Sequence, residues 1–190
     1  MRPPVRAGLR DVKGRGCAGR SYRQRMTFDA VDEQPVQGFA RTLDEGQPIE
    51  LPGWSMRVKV TAADTQGRIT LLHGEMTPHL AGPPAHVHAG HDETFVVLAG
   101  RMRFRIGDRF HTALPGETIY ASRRLVHGFS NPHDEPARYV AILTPSGYED
   151  YFQAVAEHVA RTGSMPAPVV TAELMAQHRT VLADPLPDLS

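Results

Sequence analysis

The sequence predicts an all-β fold, a sandwich or jelly roll, with short helices at its end. After Met26, turn-forming Gly, Pro and Asp residues interrupt the chain every eight to twelve residues, a spacing typical of short strands. Residues 101–106 alternate arginines with apolar side chains, as a strand with one buried face does. Helical spacing begins only at Gly147. Because no helix separates the strands, an α/β fold is not expected.

The other predicted strands are short segments of the same kind. They cover residues 55–62, 68–76, 94–98, 118–121 and 139–143, and Gly107-Asp108 turns the strand at 101–106 into the next one. We therefore assign residues 36–146 to a barrel.

Residues 147–190 are predicted to form a helical tail. Phe152, Val155 and Val159 share one stripe of a helix that ends near Gly163. A second short helix is expected over residues 171–178.

Composition narrows the class of protein. The 190 residues correspond to about one domain, and 21 basic residues balance 21 acidic ones, which excludes a generally cationic nucleic-acid binder. The longest apolar runs, 95–99 and 139–143, are too short to cross a bilayer. A single cysteine, Cys17, cannot form a disulfide within the chain or a thiolate metal cage. A reducing, cytoplasmic setting is expected.

Residues 1–25 differ from the rest of the chain. They contain eight cationic residues against Asp11 alone, with scattered Gly and Pro, so we expect a disordered basic extension. It is a dispensable tail, an Arg-rich targeting peptide, or an upstream extension of a chain that starts at Met26. We favour the last, because a transit peptide would carry more serine than Ser21 alone.

Metal-binding residue types are concentrated between residues 86 and 93. His86 and His88 are two apart, so in a strand they point to the same side. After a turn, Glu93 begins the next strand and can face the same interior, and His127 offers a fourth ligand about 30 residues later. Three imidazoles and one carboxylate suit a divalent first-row metal ion.

These residues also carry a resemblance to a known family. The run His86-x-His88-x4-Glu93-x6-Gly100 resembles the first motif of the cupin superfamily, and His127-x3-Asn131 resembles the end of its second motif. The resemblance implies a double-stranded β-helix, or jelly-roll barrel, in which His86, His88, Glu93 and His127 bind the metal. The segment TPSGYEDYFQAV further resembles the end of small single-domain cupins related to quercetin dioxygenases.

Two positions depart from the family pattern. Leu80 replaces the glycine usually found six residues before the first histidine, with Gly82 standing closer, and Ser122-Arg123-Arg124 replaces a Pro-x-Gly turn. His91 lies inside the motif but on the turn, where we expect it to face solvent or to support a ligand from outside the metal's own shell.

The resemblance implies a function for the site. Four protein ligands leave two open positions on a six-coordinate ion. We expect a metal-dependent dioxygenase that acts on a small enolic, phenolic or flavonol-like compound, with Glu93 also accepting the substrate's hydroxyl proton. The ion is one divalent metal per chain, and this ligand set accepts iron, manganese, nickel, cobalt, copper or zinc.

Other hypotheses remain open at this point. The same ion could serve a non-oxidative isomerase, cyclase or lyase step, or the barrel could bind a small ligand without catalysis or hold its metal weakly. A homodimer is expected by resemblance, with the strands near residues 36–60 supplying an edge. The expected partners are a small-molecule substrate and, for the oxidative hypothesis, dioxygen, with neither nucleic acid nor membrane.

Overall fold

A computed structural model describes residues 38–183. The predictions for residues 1–25 and for Met26 as a start lie outside this range. Within it the chain forms eleven strands and three helices, in this order: β1 (Gln47–Leu51), β2 (Trp54–Val60), α1 (Ala62–Thr65), β3 (Thr70–Met76), β4 (His86–His88), β5 (Asp92–Ala99), β6 (Met102–Ile106), β7 (Arg109–Ala113), β8 (Thr118–Ala121), β9 (His127–Ser130), β10 (Ala137–Thr144), α2 (Glu149–Thr162), α3 (Pro168–Gln177) and β11 (Thr180–Leu182).

The strands form two antiparallel sheets, which confirms the all-β jelly-roll prediction. The six-stranded sheet has the order β1-β2-β3-β10-β5-β8, and the five-stranded sheet has the order β11-β4-β9-β6-β7. Neighbouring strands within a sheet are often distant in sequence, as in jelly rolls, where the chain passes back and forth between two packed sheets.

The core lies between the two sheets. Phe95 on β5 contacts Phe129 on β9 and Phe104 on β6, with ring centroids 5.0 and 5.2 Å apart. In the same layer the Trp54 indole donates a 2.7 Å hydrogen bond to the buried hydroxyl of Tyr139. These aromatic side chains fill the interior, so the barrel is a packed core on this side of the metal-binding residues.

The helix α2 confirms the helical stripe predicted from the sequence. It buries Tyr151, Phe152 and Val155 and ends at Gly163, whose left-handed backbone (φ 74°) suits glycine. At its other end the buried carboxylate of Glu149 accepts hydrogen bonds from the backbone N–H groups of Ala62 and Gly147, both 2.8 Å, and from the Thr70 hydroxyl. Glu149 therefore fixes the start of α2 to the six-stranded sheet.

The predicted helical tail also contains a strand that the sequence analysis did not predict. β11 pairs antiparallel with β4, with Thr180 opposite His88 and Leu182 opposite His86. Three residues are too few to show a strand periodicity, so this pairing depends on tertiary position alone. None of the helices in the described part of the chain is long and apolar enough to span a membrane.

Candidate metal centre

The structure brings the four predicted metal ligands together. The ligand atoms of His86, His88, Glu93 and His127 all lie within 4.8 Å of one another. All four side chains are buried, none more than 4% exposed. The other histidines of the described chain lie outside this four-residue group: His73, His79, His91, His111, His133, His158 and His178.

Strand alternation places these side chains inside the barrel. His86 and His88 are buried while Val87 between them is only half-buried, as predicted from their spacing of two. Glu93 likewise shares the inward face of β5 with Phe95 and Val97. The third histidine comes from β9, where His127 stands opposite His86.

Two of the three histidines are oriented by a backbone carbonyl at their Nδ1 atom. The Nδ1 of His86 lies 2.8 Å from the Pro84 carbonyl, and that of His127 lies 3.0 Å from the Leu125 carbonyl. Carbonyl oxygens only accept, so in both rings Nδ1 carries the proton. The neutral rings therefore present their Nε2 lone pairs to the interior of the cluster, which is the form that binds a metal ion.

The inward-facing atoms of the cluster are hydrogen-bond acceptors, and when the rings are neutral they face one another without a proton between them. The Nε2 atoms of His86 and His88 are 3.1 Å apart, and the Glu93 oxygens lie 3.3 Å from His88 Nε2 and 3.2 Å from His127 Nε2. With neutral rings these are contacts between lone pairs, which a cation at the centre would convert into bonds. The donor set of three imidazole nitrogens and one carboxylate thus fits a divalent first-row ion.

The charges within the cluster support this interpretation. Burial favours a neutral carboxyl at Glu93, but the neighbouring imidazoles of His127, His88 and His91 outweigh it and hold the pKa of Glu93 well below its usual value. Burial also lowers the pKa of His86, to about 3. Burial would lower the pKa of His127 too, yet the adjacent Glu93 carboxylate raises it above its usual value. In the metal-free site we therefore expect the proton that balances Glu93 to lie on His127, whereas metal binding requires the neutral ring.

Metal affinity should consequently depend on pH. The proton on His127 competes with the ion, so binding should weaken by about tenfold per pH unit once the pH falls below the raised pKa of His127. Competition titrations with cobalt(II) between about pH 5.5 and 8.5 would measure the slope, and the release of one proton per bound ion near the lower limit would support its origin. An affinity independent of pH would contradict this assignment of charge.

His91 is part of the buried cluster's surroundings, so the expectation that it faces solvent is wrong. It is 6% exposed, its ring centroid lies 3.9 Å from that of His88, and its Nε2 is 3.7 Å from Glu93 Oε1. That nitrogen has no hydrogen-bond partner within the described chain. The alternative expectation, a residue that supports a ligand from outside, agrees with this position.

Two residues near the cluster were not predicted. Tyr148, at the start of α2, packs its ring against those of His88 and His91, both at 4.5 Å. Burial raises the pKa of its phenol, and the nearby Thr180 hydroxyl offsets this only in part. Thr180 itself is fully buried, with Oγ1 2.7 Å from His88 Nδ1. Both come from the C-terminal segment; Tyr148 lies within the stretch TPSGYEDYFQAV, but that resemblance assigned it no role in the site, and Thr180 belongs to no motif with a recognisable spacing.

The replaced turn before His127 has a structural role. Arg123 binds Asp92 through its backbone N–H at 2.7 Å and through Nε and Nη2 at 3.0 and 2.8 Å. The Arg124 N–H donates to the His88 carbonyl at 2.7 Å. The turn at residues 122–124 therefore connects segment 86–93 to β9, the next strand after the turn.

Asn131, the last residue of the second motif, is also structural. It is fully buried, and its amide donates to the backbone oxygens of Thr77 and Glu135, at 3.0 and 2.8 Å. It fixes the loop before the histidine segment rather than contributing a ligand.

An apolar cavity of about 430 Å³ lies beside the cluster. None of its lining residues is charged among those the structure describes, and they include Leu51, Trp54, Pro84, Phe152, Val155 and Leu182. The four ligand residues are not part of the lining. The two sites share a wall at Pro84, whose carbonyl accepts the Nδ1 proton of His86.

Comparison with known proteins adds to this geometry. Residues 72–143 match the family model described as a cupin domain. KdgF from Halomonas sp. is similar in structure over 60% of this chain and 99% of its own, with a TM-score of 0.53 and 14% identity. The polyketide cyclase RemF from Streptomyces resistomycificus matches over 58% and 81%, with a TM-score of 0.49 and 23% identity.

TT1209 from Thermus thermophilus is also similar, over 42% of this chain and 74% of its own, with a TM-score of 0.39 and 25% identity. No curated protein sequence matches the chain. The family model and the similarity to KdgF therefore identify the fold of the barrel, whereas its chemistry has to be argued from the residues of the site.

Proposed function

We propose, from the match of residues 72–143 to the cupin-domain family model and from the geometry of the four-residue cluster, that the protein is a metal-dependent dioxygenase acting on a small enolic, phenolic or flavonol-like compound. The observation that carries the metal dependence is the convergence of three Nε2 atoms and one carboxylate within 4.8 Å. In the neutral state of the rings this arrangement lacks protons at its centre, so a cation completes it.

The protein's own groups would hold the ion and its substrate as follows. His86, His88 and His127 supply neutral nitrogen ligands, and Glu93 supplies the single negative charge. A divalent ion in this set would offer Lewis acidity toward a substrate oxygen and, if it is redox-active, electrons for dioxygen. The burial of all four side chains keeps bulk water away from the reacting oxygen.

Glu93 is the residue we assign to proton transfer. Its pKa lies well below the usual value, so it is a carboxylate at neutral pH and can accept a proton. When the O–H bond of an enol or phenol breaks, the proton passes to a carboxylate oxygen of Glu93 and the substrate oxygen is left as an anion. A divalent ion held by His86, His88 and His127 would stabilise that anion electrostatically.

The apolar cavity, which is linked to the cluster through Pro84, is the basis for proposing an apolar substrate. Its volume lies within the range of small-molecule sites, and its lining of Trp54, Phe152 and aliphatic residues favours a flat, uncharged molecule. A highly charged sugar or phosphate would find no counter-charge among the described lining residues.

Replacing Glu93 with Gln should lower turnover by about 10²–10⁴-fold at saturating metal, because the amide cannot accept the substrate's proton. Oxygen uptake with a panel of enols, phenols and flavonols, aerobic against anaerobic, would provide the assay. The control is Glu117→Gln, an exposed glutamate that bonds the Leu114 N–H and lies outside the ligand cluster. Equal turnover in Glu93→Gln and the wild type would contradict the assignment.

Metal content measured by mass spectrometry on untagged protein tests the wider proposal. About one equivalent of iron, manganese, nickel or copper with substrate-dependent oxygen uptake would support the dioxygenase. Stoichiometric zinc with product formation that does not need oxygen would replace it with a non-oxidative isomerase or cyclase. Absence of metal after reconstitution would overturn metal dependence and leave a ligand-binding barrel.

The predicted homodimer and the cytoplasmic setting stay predictions. β1 lies at one edge of the six-stranded sheet, so it could pair with a second copy. Sedimentation would decide between a monomer and a dimer.

A further inference from the structure

We propose that Thr180 is a positioning residue of the metal centre, holding the Nδ1 proton of His88 so that the Nε2 lone pair faces the other donors. Thr180 Oγ1 lies 2.7 Å from His88 Nδ1, and both residues are almost fully buried. The inference rests on the metal dependence proposed above. It extends the site beyond residues 72–143, the part that matches the cupin family model.

The three histidines are oriented in two different ways. His86 and His127 each use a backbone carbonyl two residues earlier, those of Pro84 and Leu125, so their orientation is local to each strand. His88 instead uses a side chain that comes 92 residues later. Thr180 therefore orients His88 from a distant part of the sequence, whereas His86 and His127 are oriented by backbone carbonyls two residues away.

The hydrogen-bond direction at Thr180 follows from its second partner. Its hydroxyl lies 3.3 Å from the carbonyl of His178, which can only accept. We assign the hydroxyl proton to this carbonyl, which leaves Oγ1 to accept from His88 Nδ1–H. Without this acceptor the alternative tautomer becomes accessible, and it places a proton on Nε2, where the metal must bind.

The backbone around Thr180 also holds the strand that carries His88. β4 and β11 are paired over three residues, and two further bonds extend the pairing at its ends: Ala89 N–H to the Arg179 carbonyl and Ala183 N–H to the Ala85 carbonyl, both 2.9 Å. On its other side, β4 pairs with β9 only at His86 and His127 within the described chain. The C-terminal strand is thus the main backbone partner of β4.

Three variants separate the hydroxyl from the fold. Thr180→Val keeps the shape and removes the hydroxyl, Thr180→Ser keeps the hydroxyl, and Thr171→Val removes a hydroxyl in the same C-terminal segment that bonds the Pro166 carbonyl. Cobalt(II) affinity by competition and the visible absorption of the cobalt protein are measured for each. We expect Thr180→Val to bind about 10–100-fold more weakly with an altered spectrum, and the other two to keep the affinity and spectrum of the wild type.

The tautomer is tested directly in the metal-free protein. Long-range proton–nitrogen NMR of the histidine rings should show His88 protonated at Nδ1 in the wild type and in Thr180→Ser, and protonated in part at Nε2 in Thr180→Val. If Thr180→Val fails to fold, the tautomer of His88 in the wild type and in Thr180→Ser still tests the role of Thr180.

The results distinguish the two proposals. Unchanged affinity and spectrum in a folded Thr180→Val, or wild-type His88 protonated at Nε2, overturns the role of Thr180 alone. A wild type that binds no cobalt overturns the metal dependence, and the role of Thr180 with it.

Discussion

The His86→Ala variant is expected to purify without stoichiometric metal, and reconstitution should not restore it. Loss of a residue that merely supports a ligand weakens metal binding by about 10–100-fold, so loss of a ligand itself should have a larger effect. His86 is buried, and it lies opposite His127 at the point where β4 pairs with β9. The other three candidate donors cannot replace its nitrogen, because each is held in place by a strand: His88 on β4, Glu93 on β5 and His127 on β9.

The measurement is metal content per chain, with circular dichroism to confirm that the fold is kept. His79→Ala is the matched control, because that histidine has a side chain 65% exposed and its Nε2 lies 3.1 Å from an exposed aspartate, Asp134. Full metal content in His86→Ala would exclude the four-residue site, whereas a loss in both variants would indicate a general effect of purification.

Replacing Gly82 with Ala is expected to destabilise the barrel by more than about 3 kcal/mol, a drop in Tm of at least about 6–12 °C for a domain of this size. A Cβ at this position would lie 2.0 Å from the Phe129 carbonyl oxygen, and the backbone is left-handed with φ +70°. The clash involves two backbone segments, so no side-chain rotation relieves it. One segment leads into His86 and the other follows His127, and the substitution should therefore also weaken metal binding.

Gly116→Ala separates the clash from the backbone strain. Gly116 is also left-handed, with φ +90°, but no atom lies within 4 Å of its Cβ position. Strain alone should cost about 1–2 kcal/mol there. Thermal unfolding of the two metal-free variants gives the comparison, and equal losses at Gly82 and Gly116 would show that the close approach to Phe129 is unimportant.

Gly82 also explains one departure from the family pattern. Leu80 stands where a glycine is usual, and the structure places it in an isolated backbone pair with Asn131, whose N–H donates to the Leu80 carbonyl at 2.9 Å. The position that requires glycine, because a Cβ there would clash with the Phe129 carbonyl, is Gly82, two residues after Leu80. A change in loop sequence thus leaves the ligand positions intact.

The convergence of the candidate ligands was partly predictable from sequence because strand alternation is local. A spacing of two puts His86 and His88 on one face regardless of the rest of the fold, and Glu93 follows from the same rule applied to Phe95 and Val97. His127 could be offered only as an available fourth ligand, which the resemblance to the cupin motifs then supported, since nothing local connects residue 127 to residue 86.

The surroundings of the site were not predictable, because they depend on long-range packing. His91 turns inward because Tyr148 from the start of α2 covers it, and the position of α2 depends in turn on the buried Glu149. Thr180 belongs to a strand of three residues that has no periodicity to detect. Each of these features appears only when the C-terminal segment meets the barrel.

The pairing of β4 with β11 has a consequence for the order of assembly. In the unfolded chain, bringing residue 180 to residue 88 closes a loop of about 90 residues, which costs about 4 kcal/mol in chain entropy. Contacts between residues close in sequence have a smaller cost of this kind. We therefore expect the pairing of β4 with β11 to form after the contacts between strands that are closer in sequence. On this expectation a barrel can be largely folded before His88 is oriented, and binding of the proposed ion would follow the docking of the C-terminal segment.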